Sequence, residues 1–318
     1  MAIFFILIFV IVVFILGLWI FPIETKSLCS LPQPSSDYTE SIQHIEQIMS
    51  TEKPPVADYG RSILLTHGKK VKRVVVCYHG YTNCPRQYEQ LAKRFFDKGY
   101  NVYVPRVPHC GIDDRFTKEV ARLTIDEIRE VCDTSVDIAR GLGEKITVLG
   151  LSLGGVMAAW NAQFRNDIDQ AFVLVPSFGW YYLPGVVKPL INLSFLFPNM
   201  FLWWDPIQKE KRECPYSMYH HFCSHGIGHI MRLGLSVLKA SQKQAPGAKR
   251  IIVMTNDLDN AVDELNVRRL VERWERFGTS VSWYRFAKDL KMEHDIIDPL
   301  HPYARVDFVY DKILEYFS

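Results

Sequence analysis

Hydrophobic and polar positions follow different patterns along the chain, and each pattern predicts a kind of element. Residues 1–21 form one unbroken apolar run without a charged side chain. From residue 71 onward, short apolar runs alternate with stretches in which apolar residues recur every three or four positions. The short runs are typical of buried strands, and the longer stretches are typical of helices that bury one face. Their alternation predicts an α/β domain whose mostly parallel, doubly wound sheet is covered by helices on both faces.

The predicted elements follow one another in a regular order until the alternation breaks. Expected strands cover 73–78, 101–104, 145–149, 170–175, 250–254 and 280–286. Expected helices cover 86–98, 124–142, 156–164, 262–277 and 303–317. Residues 177–246 are rich in large aromatic side chains, are interrupted by glycine and proline, and lack a clean period. We therefore expect an insertion over this range.

The N-terminal run is long enough to cross a bilayer, which takes about 20 apolar residues. Trp19 and Phe21 would lie near the lipid headgroups, where amphipathic aromatic side chains collect. A cleaved signal peptide is the alternative. It would need a basic leading segment and a small-residue cleavage site, and neither is visible around 17–30.

These patterns divide the chain into three parts. We expect a transmembrane anchor over 1–21, a tether and lead-in segment over 22–70, and a folded domain over 71–318. The chain would then be a single-pass membrane protein. The side of the membrane stays open. The charges of Lys26 and Glu24 cancel, so the flank has no excess of positive charge from which the positive-inside rule could predict an orientation.

Composition excludes some partners. Hydrophobic residues make up 48% of the chain and charged residues 23%, with a net charge of +2. Such a small charge does not predict nucleic-acid binding by phosphate neutralisation. Seven cysteines are an odd number in a domain too large to need disulfides, so most are expected to be free thiols. Whether Cys214 and Cys223 pair stays open.

The pentapeptide GLSLG at 150–154 lies between a predicted strand and a predicted helix. In that context the two glycines let the chain turn sharply, while Ser152 is held in a strained and exposed position. Ser152 is therefore a candidate nucleophile. A structural turn that happens to contain serine is the alternative.

A serine hydroxyl is a weak nucleophile at neutral pH, so it needs a nearby base and a carboxylate that orients the base. His294 follows the last predicted strand by a short loop, and its alternative is a surface histidine. Asp257 and Asp259 both follow the strand at 250–254. Either aspartate could instead cap the helix that comes next.

Acyl transfer also needs backbone N–H groups directed at the developing oxyanion. The residue after the nucleophile, Leu153, supplies one such group. The loop after the first strong strand, HGYTN at 79–83, supplies a second donor, which we expect to be the N–H of Tyr81. We expect His79 to brace this loop rather than to carry a proton.

These motifs together resemble the α/β-hydrolases of the bacterial carboxylesterase and monoacylglycerol-lipase-like branch. The resemblance covers 73–317 and is carried by HGYTN, GLSLGG, the sequence DNAV at 259–262 and the dipeptide His294-Asp295. It implies an α/β-hydrolase fold with Asp259, not Asp257, as the acid. It also implies that 177–246 is a cap, or lid, over an acyl pocket, and that no cofactor is needed.

The cap offers candidate substrate contacts and one competing constellation. Trp180, Trp203 and Trp204 are the candidate contacts of an apolar acyl group. If the chain were helical there, His221, His225 and His229 would share a face and could bind zinc. Glycines weaken such a helix, so we expect no metal and interpret these histidines as a polar face of the lid.

The sequence thus predicts a membrane-anchored serine esterase or lipase that cleaves an apolar acyl ester or lipid through an acyl-enzyme. Ser152, His294 and Asp259 would form the triad, and Tyr81 and Leu153 the oxyanion hole. A thioesterase, an amidase or peptidase, and an acyltransferase on the same triad remain open, because the fold does not fix the substrate. A non-catalytic binding module tethered to the membrane is a further alternative.

Overall fold

A computed structural model describes residues 1–53 and 55–317 of the chain. Within these residues the strands are β1 Ile63–Leu65, β2 Val71–Tyr78, β3 Asn101–Val104, β4 Gly143–Leu151, β5 Gln170–Leu174, β6 Phe201–Trp203, β7 His221–Cys223, β8 Arg250–Asn256 and β9 Ser280–Phe286. The α-helices are α1 Ala2–Ile20, α2 Tyr38–Thr51, α3 Glu89–Asp97, α4 Ile125–Leu142, α5 Leu153–Phe164, α6 Val187–Leu196, α7 Ser224–Ala240, α8 Glu264–Arg276 and α9 Val306–Glu315.

Seven of these strands form the central sheet, in the order β1-β3-β2-β4-β5-β8-β9. Strand β1 is antiparallel to β3, and the other neighbours are parallel. Because parallel strands end at the same edge, the residues that follow β4, β8 and β9 all leave the sheet at its carboxyl edge. The six strands predicted from apolar runs are the six parallel strands of this sheet.

The sheet separates two apolar cores, which explains why its central strands read as continuous apolar runs. Val74, Val76 and Tyr78 of β2 belong to the core that also contains buried side chains of α4, α5 and α8. Val75 and Cys77 belong to the core on the opposite face, with side chains of α3 and α9. The expected doubly wound α/β architecture is confirmed.

Residues 22–70 have more structure than the tether expected from sequence. Helix α2 begins after Asp37, whose carboxylate accepts the backbone N–H of Glu40, and it packs against α4. Strand β1 extends the sheet beyond β3. Much of this range therefore belongs to the folded domain. The sequence pattern missed β1 because a three-residue strand is too short to show a period.

The inserted range 177–246 contains helix α6, the antiparallel strand pair β6 and β7, and helix α7. Helix α6 is followed by β6 and β7, which pair with each other antiparallel and outside the central sheet. Helix α7 comes next and packs against α5 and α4 as well as α6. The insertion is thus fastened to the helical layer on one face of the sheet.

Candidate active site

Ser152 lies in the sharp turn between β4 and α5, with φ 61° and ψ −111°. A side chain at Gly150 would come within 1.9 Å of the Gly154 carbonyl, and one at Gly154 within 1.9 Å of the Tyr78 carbonyl. Only glycine fits at both positions. Ser152 itself sits in a region of backbone space that is unfavourable for a residue with a side chain, as expected of a nucleophile elbow. Its backbone N–H donates to Leu174, which ties the turn to β5 (3.0 Å).

His294 and Asp259 meet at the carboxyl edge of the sheet. Nδ1 of His294 donates to Oδ2 of Asp259 at 2.7 Å. The other carboxylate oxygen of Asp259 accepts the backbone N–H groups of Ala261 (2.8 Å) and Val262 (3.3 Å). The acid is therefore locked in place from both sides. Since Nδ1 holds the proton in this bond, Nε2 of a neutral His294 is free to act as the base.

Asp257, the other candidate acid, has a different partner. Its carboxylate binds the guanidinium of Arg285 at 2.7 Å. Asp259 is therefore the aspartate that reaches His294, in agreement with the acid that the family resemblance implies.

The electrostatic surroundings of His294 favour its protonated form. Burial lowers the pKa of His294, but the charge of Asp259 and its hydrogen bond raise it, and the net direction is upward. Asp295 contributes a smaller raising effect. A base with a raised pKa accepts a proton more readily, which suits an imidazole that must take the proton of a serine hydroxyl.

No hydrogen bond joins the Ser152 hydroxyl to His294 within the described residues. Such bonds are often long in the absence of substrate and tighten when substrate binds. The structure thus brings Asp259 and His294 together and places Ser152 at the same sheet edge, two strands away from β8.

The two expected oxyanion donors have free backbone N–H groups. Leu153 is the first residue of α5, so its N–H has no partner within the helix. Among residues 1–53 and 55–317, neither the N–H of Leu153 nor that of Tyr81 donates to another protein atom. The next residue, Thr82, has φ 64°, so the loop that presents Tyr81 is held in a strained conformation.

His79 braces this loop. It is fully buried; its Nε2 accepts the N–H of Val107 at 3.0 Å and its Nδ1 donates to the carbonyl of Gly80 at 2.9 Å. These two bonds require a neutral imidazole. Burial lowers the pKa of His79 to about 4, which keeps it neutral at physiological pH.

Two amide side chains connect the oxyanion loop to the histidine loop. Asn83 belongs to the HGYTN motif, whereas no sequence pattern pointed to Gln87. The Gln87 side chain accepts the N–H of Gly80 (2.8 Å) and donates to the carboxylate of Asp295 (2.7 Å). Asn83 donates to Asp298 at 3.2 Å. Burial and the neighbouring Asp295 raise the pKa of Asp298 to about 7. These contacts link the loop that carries Tyr81 to the loop that carries His294.

The three candidate tryptophans of the cap lie in different places. Trp204 packs edge-on against Tyr81 (6.5 Å between ring centroids), and its Nε1 donates to Thr82 at 2.9 Å. Trp203 is in β6 and lies edge-on to His221. Trp180 is half exposed and forms an isolated bridge with Val262, close in sequence to Asp259. Trp204 thus contacts the oxyanion loop directly.

The cap histidines do not share one helix face. His221 lies in β7, and its Nε2 bonds to the carbonyl of Thr117 (3.1 Å), whereas His225 and His229 follow in α7. Among the described residues, no group of three or more His, Cys, Asp or Glu side chains is arranged so that it could hold a metal ion. Cys214 and Cys223 are both free thiols.

A cavity of about 510 Å³ lies beside the acid. Its wall includes Val175, Tyr181, Tyr182, Asp259 and Val262. Its walls come from the turn after β5, the start of the cap, the turn after β8 and the start of α8, so it lies at the carboxyl edge of the sheet.

The sequence as a whole matches a known family. A family model described as serine aminopeptidase, S33, matches residues 69–285, which is more than half of the chain. The chain belongs to this family. It is therefore a serine hydrolase with the α/β-hydrolase fold. The match ends before His294, and residues 1–68 precede it.

Solved structures of low sequence identity share the fold. A structure from work on the metagenome-derived lipolytic enzymes LipS and LipT has a TM-score of 0.59 at 16% identity, over 82% of this chain and 98% of that one. The monoacylglycerol lipase of Paleococcus ferrophilus has a TM-score of 0.56 at 18% identity, over 80% and 96%. A soluble variant of the monoglyceride lipase of Saccharomyces cerevisiae, in complex with a substrate analogue, has a TM-score of 0.57 at 15% sequence identity. The match covers 81% of this chain and 90% of that one. No curated protein matches the chain significantly.

Proposed function

We propose that this chain is a membrane-anchored carboxylesterase or lipase that hydrolyses an apolar acyl ester. The observation that carries the proposal is the 2.7 Å hydrogen bond between His294 and Asp259, at the sheet edge where Ser152 occupies its strained turn. A base that is oriented by a buried carboxylate, at the same sheet edge as a serine in a strained turn, is the arrangement expected to activate a hydroxyl for acyl transfer.

The mechanism follows from these positions. Ser152 attacks the ester carbonyl carbon while Nε2 of His294 takes the hydroxyl proton. The N–H groups of Tyr81 and Leu153 stabilise the oxyanion. His294 then protonates the leaving alcohol, and water, activated by the same imidazole, hydrolyses the acyl-enzyme. Asp259 keeps the proton on Nδ1 and stabilises the imidazolium that forms.

An uncharged acyl group suits the surroundings of the site. Trp180, Tyr181 and Tyr182 at the start of the cap are all substantially exposed, and Tyr181 and Tyr182 line the cavity beside Asp259. Aromatic walls are typical of pockets for hydrophobic ligands, and the carboxylates in the same wall are held by other groups of the protein.

The family description makes an aminopeptidase the second candidate. That activity requires a free carboxylate for the protonated amino group of the substrate. The other acids that line the cavity are already engaged. Asp257 and Glu264 both bind Arg285 (2.7 and 3.2 Å), and Asp263 accepts the side-chain amide of Asn266 (2.6 Å). Because these carboxylates already have partners, the cavity favours an ester substrate over a peptide with a protonated amino group.

A substrate series tests the proposal. The full-length chain in mild detergent should hydrolyse p-nitrophenyl esters, with kcat/KM rising from acetyl to longer acyl chains, because each added methylene buried in the pocket contributes about 0.8 kcal/mol. Amino-acid p-nitroanilides serve as the comparison. A preference confined to acetyl esters would contradict the apolar pocket, and faster cleavage of the anilides would favour the aminopeptidase.

The proposal includes the membrane anchor and the division of the chain. Within the described residues, the helix over Ile3–Ile20 is long and apolar enough to cross a bilayer, and none of its residues is fully buried. A signal sequence would have the same properties. We propose a retained anchor over 1–21 and a catalytic domain over 71–318. Helix α2 and strand β1 also belong to this domain, because they pack against α4 and pair with β3.

A further inference from the structure

The C-terminal end of α1 lies on the cap. Asn192 of α6 donates through its side-chain amide to the carbonyls of Leu18 (2.9 Å) and Phe21 (3.2 Å). Lys188, one turn earlier in α6, donates to the carbonyl of Ile20 at 3.1 Å. The last carbonyls of a helix have no partner within it, so side chains that bind them hold the helix end in place. The apolar helix is thus fixed to α6 of the insertion.

The chain that follows, residues 22–35, continues along the cap and the domain as a bound strap. Arg232 and Lys239 of α7 donate to the carbonyls of Glu24 (2.8 Å) and Ile23 (3.0 Å). Leu28 is buried, and its carbonyl accepts the indole N–H of Trp160 at 2.8 Å. A flexible linker would have its backbone in solvent, whereas backbone carbonyls of this segment accept hydrogen bonds from side chains of the protein.

A buried ion network holds the second half of the strap. The carboxylates of Asp133 and Asp137 accept the backbone N–H groups of Leu31 (3.0 Å) and Gln33 (2.8 Å). The same carboxylates bind Arg165, whose side chain is completely buried, at 3.3 and 2.7 Å. The orientation of the apolar helix relative to the catalytic domain is therefore set by contacts along the whole strap.

Next to the attached helix, the cap carries exposed apolar side chains. Leu193, Leu196, Phe197 and Met200 have exposed fractions of 36%, 55%, 48% and 48%, and we call them the apolar cap surface. Leu196 is one helical turn beyond Asn192, so it lies on the side of α6 that binds the end of α1. Contiguous exposed apolar residues beside a polar rim mark a surface that is covered by something else.

Three basic side chains lie around the C-terminal end of α1. Lys188, Arg232 and Lys239 all bind backbone carbonyls between Ile20 and Glu24. They lie close enough together that, in addition to burial, Lys188 and Arg232 lower the pKa of Lys239. Basic side chains immediately beyond a transmembrane helix lie at the level of the lipid phosphates and are attracted to anionic headgroups.

We propose that α1, the strap and the apolar cap surface form one membrane-facing surface, which seats the cap in the lipid interface so that the active site takes its ester directly from the bilayer. This inference rests on the proposed function for its substrate. Its occupant is a lipid bilayer, because the apolar cap surface is continuous with a helix of membrane-spanning length and the cations between them match the headgroup charge.

Photo-cross-linking tests the surface without relying on activity. The full-length chain is reconstituted in phosphatidylcholine–phosphatidylserine vesicles that contain a diazirine-bearing phosphatidylcholine, and the cross-linked peptides are identified by mass spectrometry. We expect cross-links on α1 and also on 193–200. Cross-links confined to α1 would overturn the inference. A Gly-Ser insertion between Phe21 and Pro22 should remove the cross-links on 193–200 and keep those on α1.

Two esters separate the membrane role from catalysis. Leu196→Asp combined with Phe197→Asp should lower the hydrolysis of 1-oleoylglycerol held in the vesicles roughly tenfold, since about two half-exposed apolar side chains leave the lipid. Hydrolysis of water-soluble p-nitrophenyl butyrate should stay unchanged. Phe308→Asp is the matched control, because Phe308 is equally exposed but lies on α9, on the opposite face of the sheet.

The outcomes distinguish this inference from the proposed function. Unchanged hydrolysis of the vesicle ester by the double variant would contradict the membrane-facing surface. Equal loss on both esters would contradict it too, unless urea unfolding shows that the double variant is misfolded; the cross-links of the unsubstituted chain on 193–200 then decide on the surface alone. If the unsubstituted chain cleaved neither ester but cross-linked at 193–200, the proposed function would fail and the surface would stand.

Discussion

At the scale of single residues, the proposed reaction depends on the protonation state of His294. Its imidazole can accept the proton of Ser152 only while it is neutral, and its bond to Asp259 fixes which nitrogen does so. The carboxylate that orients the base also raises its pKa, so orientation and basicity have the same physical source.

The pH dependence of ester hydrolysis follows from this pair. Because the folded-state pKa of His294 is raised above 6.5, kcat/KM for p-nitrophenyl butyrate should fall as the pH drops through a value above 6.5. Asp259→Asn removes the charge that raises the pKa, so the acidic limb should move to lower pH, with activity about 10⁴-fold lower through loss of the correct tautomer. Asp289→Asn, an exposed change in the segment between β9 and His294, is the control. It should alter neither the position of the acidic limb nor the activity. An acidic limb that does not respond to Asp259→Asn would remove Asp259 from the site.

At the scale of elements, sequence patterns predicted what local periodicity determines and missed what packing determines. The central parallel strands were predictable because both of their faces are buried, which leaves a continuous apolar run, whereas the edge strand β9 is only partly buried. Helix α7 was obscured by Gly226 and Gly228 near its start, and it is stabilised by packing against α5. The apolar residues of α2, such as Ile42, Ile45 and Ile48, form only a weak helical period, and the membership of α2 in the domain depends on its contact with α4.

Gly141 in α4 tests whether α2 is docked. A methyl group at this position would lie 2.0 Å from the Asp37 carbonyl and 2.2 Å from the Ser41 hydroxyl at the start of α2. Gly141→Ala should therefore lower the free energy of unfolding by about 1–3 kcal/mol through overpacking. If residues 38–51 were a loose tether, the same change would raise it by up to about 1 kcal/mol, because alanine is the better helix former.

The measurement is urea unfolding of the full-length chain in mild detergent, followed by tryptophan fluorescence. Glu130→Ala, an exposed change on the same helix, is the control and should stay within about 0.5 kcal/mol of the unsubstituted chain. The sign of the Gly141→Ala effect decides between the two arrangements.

At the scale of the whole molecule, the site is assembled by contacts between distant parts of the chain. The order of serine, acid and histidine along the sequence nominated Ser152, His294 and either Asp257 or Asp259, because each follows a strand that ends at the same edge; the family resemblance then favoured Asp259. The bridge from Gln87 to Asp295 joins residues 208 positions apart, so no local pattern could reveal it. The attachment of the strap to the cap has the same long-range character.

Covalent labelling of Ser152 tests the central claim most directly. A fluorophosphonate probe reacts with a serine hydroxyl only where a base and an oxyanion hole activate it. Incubated with the folded full-length chain, it should modify Ser152, as mapped by mass spectrometry. Labelling should disappear in Ser152→Ala and slow strongly in His294→Ala. Absence of labelling in the folded protein, or labelling that persists in Ser152→Ala, would contradict the account.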